Sequence, residues 1–155
     1  MVSVLFLCLG NICRSPMAEA VFRKQVEDAG LQDRIEIDSA GLGGWHAGER
    51  PHRGTLAVLD EHSVAHAGIH SRQITQQDVA AFDYIVAMDA ENMEGLKRYG
   101  ALAGNRVFRL LDLVEAQSEK NVPDPYYTGN FDEVYEMVTD GCQILLEKIR
   151  REHEL

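Results

Sequence analysis

At 155 residues, with 45% apolar and 26% charged side chains, the chain is long enough for one domain with a substantial core, and its composition is that of a globular protein. A net charge of −10 argues against a nucleic-acid or anionic-membrane partner, since both demand basic surface. Three cysteines without a framework spacing, and no secretory pattern around the short apolar stretch Val2 to Leu9, point to a cytoplasmic protein with free thiols and no membrane span.

Val2 to Leu7 is apolar nearly throughout, which predicts a central strand covered on both faces. Pro16 to Ala29 carries Met17, Ala20, Val21 and Val26 at helical spacing, with Gly30 as a stop. Pro16 suits a first helical turn, so this helix should begin near Ser15. Arg34 to Ser39 reads as a second strand, followed by a glycine-rich loop from Gly41 to Gly44. A helix over Gly54 to His66 precedes a third strand, Tyr84 to Met88, and a helix from Ala90 to Tyr99. A short fourth strand, Val107 to Leu110, leads into a long loop, Ser118 to Asn130, and a last helix, Phe131 to Arg151. Strands alternating with helices predict an α/β domain over residues 1–155 with a parallel sheet.

The segment Cys8-Leu9-Gly10-Asn11-Ile12-Cys13-Arg14-Ser15-Pro16 lies between the first strand and the first helix. Ligands of open α/β sheets sit beyond the carboxyl ends of strands, and Cys8 is placed there. Five residues, Leu9 to Cys13, can wrap a loop whose N–H groups point inward as an anion nest. The helix N-terminus adds partial positive charge, and Arg14 can fork two donors onto phosphate oxygens. A thiol at the centre of that field favours its thiolate, a nucleophile for phosphoryl transfer. Ser15 can donate to the Cys8 sulfur, and Asn11 tolerates the left-handed backbone that a tight loop requires. The plainer readings are a buried cysteine at a strand end, a helix cap for Ser15 and a turn residue for Asn11. A positive pocket on an acidic body reconciles the net charge with an anionic ligand.

Asp124 stands in the long loop between Pro123 and Pro125, which stiffen the backbone around it. It is either the first residue of a turn or a general acid at the rim of a cationic pocket. Trp45, Tyr126 and Tyr127 are aromatics in loops, suited to walling a narrow slot for a flat ring, the plainer reading of Trp45 being packing within its own glycine-rich loop. Cys13, beside Cys8, is either inertly packed or able to resolve an oxidised Cys8 as a disulfide. Cys142 belongs to the core. His62, His66 and His70 stand four apart, but Gly68 interrupts the helix needed to align them on a metal.

Five segments, VLFLCLGNICRSPMAEAVF, DSAGLGGWHAGERP, RQIT, FDYIVAMDAEN and VPDPYYTGNFDEVYEMV, span nearly the whole chain in this order. Together they resemble the bacterial branch of the low-molecular-weight protein tyrosine phosphatase family. The resemblance implies a four-stranded doubly wound parallel sheet and hydrolysis of phosphotyrosine through a phosphocysteine intermediate. Cys8 is then the nucleophile, Arg14 the phosphate clamp and Asp124 the general acid and base. Leu9, Trp45, Tyr126 and Tyr127 line the slot, and Asn11, Ser15 and Ser39 support the loop. The implied partners are phosphotyrosine-containing proteins or peptides, for a monomer or weakly self-associating enzyme with neither cofactor nor metal. A family histidine precedes RQIT, where this chain has Ile69, leaving His66 and His70 as candidates to replace it. Relatives that hydrolyse phosphoarginine carry a small threonine at the position of Ile12, so the bulkier residue favours phosphotyrosine. Arsenate reductases of the same fold need two further downstream cysteines, and only Cys142 follows the loop.

Overall fold

The computed structural model describes residues 1–155. Four strands, β1 (Val2–Cys8), β2 (Ile35–Gly41), β3 (Tyr84–Ala87) and β4 (Val107–Arg109), pair in the order β2-β1-β3-β4, all parallel. The order reverses at β1, which is the switch point where such sheets bind ligands. Six helices accompany the sheet: α1 (Arg14–Asp28), α2 (Arg53–Glu61), α3 (Gln76–Ala81), α4 (Ala90–Lys97), α5 (Pro125–Thr128) and α6 (Phe131–His153).

Alternation along β1 sorts its side chains between two apolar layers. Val2, Val4, Phe6 and Cys8 join the larger cluster with α1 and α6, where Phe22, Val138 and Leu145 are buried. Leu5 and Leu7 face the smaller cluster with Ile74 and Leu96 on the other side. The strand is therefore apolar at every position but Ser3, and its period-2 register aims Cys8 at the α1 face. Phe6 meets Phe22 edge-on with centroids 5.5 Å apart, locking α1 over the strand that delivers the cysteine.

Several boundaries differ from the sequence expectations for local reasons. The first helix starts at Arg14, two residues before Pro16, with Cys13 at its cap making no side-chain capping bond. Ser15 is thus inside the helix, and its hydroxyl is free for other work. The second strand runs on to Gly41, which pairs with Cys8 instead of opening the glycine-rich loop. The second helix stops at Glu61, short of His66, because Ser63 turns left-handed (φ 57°) and Val64 N–H closes back onto Leu59 O at 2.8 Å. The third strand and the fourth helix end at Ala87 and Lys97, and Leu110 leaves β4 for a 3-10 turn, Leu110–Leu113. The α3 helix was not expected, although Thr75 and Asp78 form its reciprocal capping box. Within the long loop, Asp124 caps the single-turn α5 with Pro125 in its first turn.

Candidate active site

The loop from Cys8 to Arg14 is gripped from outside by its own carbonyls. Cys8 O accepts from Leu42 N, Leu9 O from Gly43 N and Ile12 O from His52 N at 2.7–3.1 Å. Gly10 O accepts from the Ser71 hydroxyl and Cys13 O from the Thr55 hydroxyl, each at 3.1 Å. With the carbonyls engaged from outside, the N–H groups of Leu9 to Cys13 donate to no protein acceptor and are left free for an anion. That is the geometry of an anion nest, closed by the α1 N-terminus. Asn11 makes the tight corner with φ 54°.

Behind the loop runs a chain of buried hydrogen bonds. Cys8 Sγ lies 3.0 Å from Ser15 Oγ, and Asn11 Nδ2 donates to Ser15 Oγ at 2.7 Å and to Ser39 Oγ at 3.0 Å. Asn11 Oδ1 accepts from Arg72 N–H at 2.9 Å, which settles which way the amide faces. Ser39 Oγ donates to Glu19 Oε1 at 2.6 Å, and Glu19 Oε2 accepts from Arg23 Nη2 at 2.6 Å. Neither candidate histidine joins this chain. His66 sits between Arg50 and Asp60, each at 2.7 Å, and His70 faces Gly68 O. His62 stacks on Tyr135 with centroids 4.0 Å apart, so the three histidines serve three separate contacts. The group at the end of the chain is Glu19, which the sequence reading missed; its one signal was its place one turn beyond Ser15 on α1.

Arg14 is buried, and one nitrogen is held by the protein itself. Its Nη1 donates to Asp89 Oδ2 at 2.6 Å and to Val122 O at 2.9 Å, while Nη2 lies 3.5 Å from Asp124 Oδ2. Burial works against its charge, but the nearby Cys8 and Asp89 raise its basicity overall. Asp89 caps α4 through its other oxygen, accepting from Asn92 N–H at 2.8 Å, so one carboxylate fixes both helix and guanidinium. It too was overlooked in the sequence. Asp124 Oδ1 accepts from Tyr126 N–H at 3.1 Å, which makes it a cap and a group at the pocket rim at once.

These residues enclose a cavity of about 220 Å³. Cys8 and Arg14 are buried at its base, and Leu9, Trp45, Tyr126 and Tyr127 stand around it. Trp45 is 69% and Tyr127 76% exposed, so the walls are rim aromatics and not core. Ile12 and His46 also line the cavity, the latter without having been expected. Cys13 shares the lining, and its thiol is pushed up to about 12 by burial and by the charges of Asp124 and Cys8. Cys142 is wholly buried in α6.

A parallel α/β sheet with a thiol in an anion-binding loop at its switch point defines a class of phosphate-handling proteins. The chain belongs to the low molecular weight phosphotyrosine protein phosphatase family, whose model matches residues 3–155. It is 50% identical to the low molecular weight protein-tyrosine-phosphatase YfkJ of Bacillus subtilis over 100% of both chains. The crystal structure of YfkJ superposes with a TM-score of 0.95, covering 98% of this chain and 96% of that one. The Staphylococcus aureus protein-tyrosine-phosphatase PtpA is 44% identical over 100% of this chain and 98% of its own. A Drosophila arginine phosphatase aligns with a TM-score of 0.84 at 33% identity, covering 93% and 95% of the two chains.

Proposed function

We propose that this protein hydrolyses phosphotyrosine in proteins or peptides through a phosphocysteine intermediate on Cys8. The observation that carries the reading is one cavity holding Cys8 and Arg14 at its base, Asp124 at its edge and aromatic walls above. The phosphate sits in the nest of residues 9–15, clamped by the part of the Arg14 guanidinium that Asp89 and Val122 leave free. The Cys8 thiolate attacks phosphorus, the S–P bond forms, the P–O bond breaks, and Asp124 gives its proton to the departing phenolate oxygen. Water then attacks the phosphocysteine while Asp124 takes a proton from it, and the thiolate leaves toward the Ser15 hydroxyl. No step in this scheme calls for a metal or cofactor. Wall height supports a preference for a phenyl ester, because a phosphoserine is too short to bring phosphorus down to Cys8 past Trp45 and Tyr127.

Phosphate release from matched phosphotyrosine, phosphoserine and phosphoarginine peptides, with EDTA present and Cys8→Ser as control, tests the proposal. Selective, Cys8-dependent release from phosphotyrosine is the expected result. Preference for phosphoarginine keeps the chemistry and overturns the weight placed on Ile12, which lines the cavity. No release from any peptide removes the phosphatase reading.

The same reading extends to redox control. Peroxide oxidises the Cys8 thiolate to a sulfenic acid, and the Cys13 thiol condenses with it, forming an S–S bond and releasing water. Activity lost to peroxide should return with thiol reductant, and Cys13→Ser should recover far less. Equal recovery in that variant removes the protective role. A cytoplasmic, monomeric or weakly self-associating enzyme fits the free thiols, and no helix is long and apolar enough to cross a membrane.

A further inference from the structure

The chain of buried hydrogen bonds behind the phosphate loop does not stop at the residues that touch the loop. It passes through Ser39 to Glu19, on the middle of α1, and from there to Arg23 near the surface. Glu19 is 5% exposed, and nothing in the chemistry proposed for the cavity uses it. A carboxylate so placed is costly. Burial lifts its proton affinity above the ordinary carboxylate value of 4.5, against the opposing pull of Ser39 and Arg23. An apolar side chain of similar volume is often neutral or stabilising at such a position. A function in the site accounts for its presence.

With Cys8 as the thiolate, which can only accept, the donors and acceptors along the chain can be counted from the Asn11 amide outward. Asn11 Nδ2 only donates, and its amide cannot flip because Arg72 N–H needs Oδ1 as acceptor. Ser15 and Ser39 must both accept from Nδ2, so each hydroxyl has one proton left to give. For Ser39 the proton goes to Glu19 Oε1 at 2.6 Å. For Ser15 the choice lies between Cys8 Sγ at 3.0 Å and Ala40 O at 3.5 Å, and distance favours sulfur. Every proton in the chain is thus directed, outward at one end and toward sulfur at the other. Without Glu19 the Ser39 proton, 1% exposed, loses this acceptor. The hydroxyl then rotates to find another, and it withdraws an acceptor from the Asn11 amide that sets Ser15.

We propose that Glu19 is a positioning residue for the Cys8 reaction, acting through Ser39, Asn11 and Ser15 to keep the Ser15 hydroxyl proton on the Cys8 sulfur. This rests on the phosphatase reading only for its kinetic consequence, because sulfur protonation can be followed without turnover. Glu19→Met removes the acceptor and keeps the volume, while Ser39→Ala breaks the chain but leaves the Glu19–Arg23 pair intact. Alkylation of Cys8 by iodoacetamide at pH 6, relative to its rate at high pH, should slow about 3–10-fold in each, the size of one net hydrogen bond. The kcat should fall by a similar factor, because the thiolate is the leaving group of the second step, with KM changed less than about twofold. The double variant should be no worse than either single one, since both act through one chain.

Alkylation and kcat like wild type in Glu19→Met, with only unfolding altered, would reduce Glu19 to a structural residue. Losses that multiply in the double variant would overturn the shared path. If Glu19→Met does not fold, Ser39→Ala decides alone, and wild-type behaviour there overturns the proposal. Absence of Cys8-dependent turnover in the wild type is a separate result, which removes the phosphatase reading and leaves the alkylation comparison standing.

Discussion

Arg14 commits one nitrogen to the protein before any substrate arrives. The Asp89 and Val122 contacts fix the plane of the guanidinium, so its remaining donors are presented in a set direction at the base of the cavity. A planar fork cannot be replaced by a point charge. Arg14→Lys should therefore lower kcat/KM by about 10²–10³ although the charge remains. Asp89→Asn leaves Arg14 in place but weakens its anchor; kcat should fall about tenfold, the scale of a hydrogen bond to a charged group. Near-normal kinetics in either variant contradicts the clamp. Asp124 differs in kind, because the proposed mechanism has it protonate the leaving group. Asp124→Ala should slow aryl phosphates with poor leaving groups by about 10²–10⁴ and activated phenols far less. A loss independent of leaving-group pKa takes the acid role from Asp124.

At the level of elements, the end of β2 is as decisive as the loop it faces. Gly41 pairs with Cys8, donates its N–H to Arg72 O at 2.8 Å and accepts from Ile74 N–H at 2.8 Å. A methyl group on it would lie 2.9 Å from Asn11 N and from Gly10 C, both backbone atoms of the anion nest. Backbone cannot turn aside as a side chain can, so Gly41→Ala should distort the nest itself. The expected outcome is a rise of more than about tenfold in the Kd for inorganic phosphate, by isothermal titration, with a smaller effect on folding. Unchanged phosphate affinity shows that the nest tolerates displacement. The segment around Ser71 and Arg72 completes this frame, since its side-chain and backbone groups hold Gly10 and Asn11 from below.

For the molecule as a whole, acidity and buried charge shape the response to pH. The Glu19 carboxyl is lifted above its ordinary 4.5 chiefly by burial. Its contribution to folding is therefore full below that value and is lost as pH rises through the folded-state value. Wild-type stability relative to Glu19→Met should accordingly fall as pH rises above 4.5 and through the folded-state value, read as the difference in urea midpoints. A constant difference means that Glu19 has the same proton affinity folded and unfolded. Asp78 runs in the opposite sense. Burial raises it, but the Arg72 hydrogen bond and charge and the Thr75 contacts together bring it below the ordinary range. Its contribution is present above the unfolded value and lost on acidification through the folded one.

Much of this architecture was readable in one dimension, because local rules act on neighbouring residues. The apolar run Val2 to Leu7, the loop cysteine and arginine, and Pro16 in a first helical turn state the strand, the turn and the helix that follows. The elements missed, α3 and α5, are one or two turns long, and short helices are held by caps and tertiary contacts more than by periodicity. What sequence by itself determined was the parallel α/β class and which segment carries the loop cysteine and its arginine, since strand period and loop spacing are properties of consecutive residues. Only the tertiary structure showed that Arg72 and Asp89 reach that segment, and that Glu19 meets it through Ser39. Their partners lie 20 to 75 residues away along the chain, and no local period encodes which buried carboxylate meets which donor.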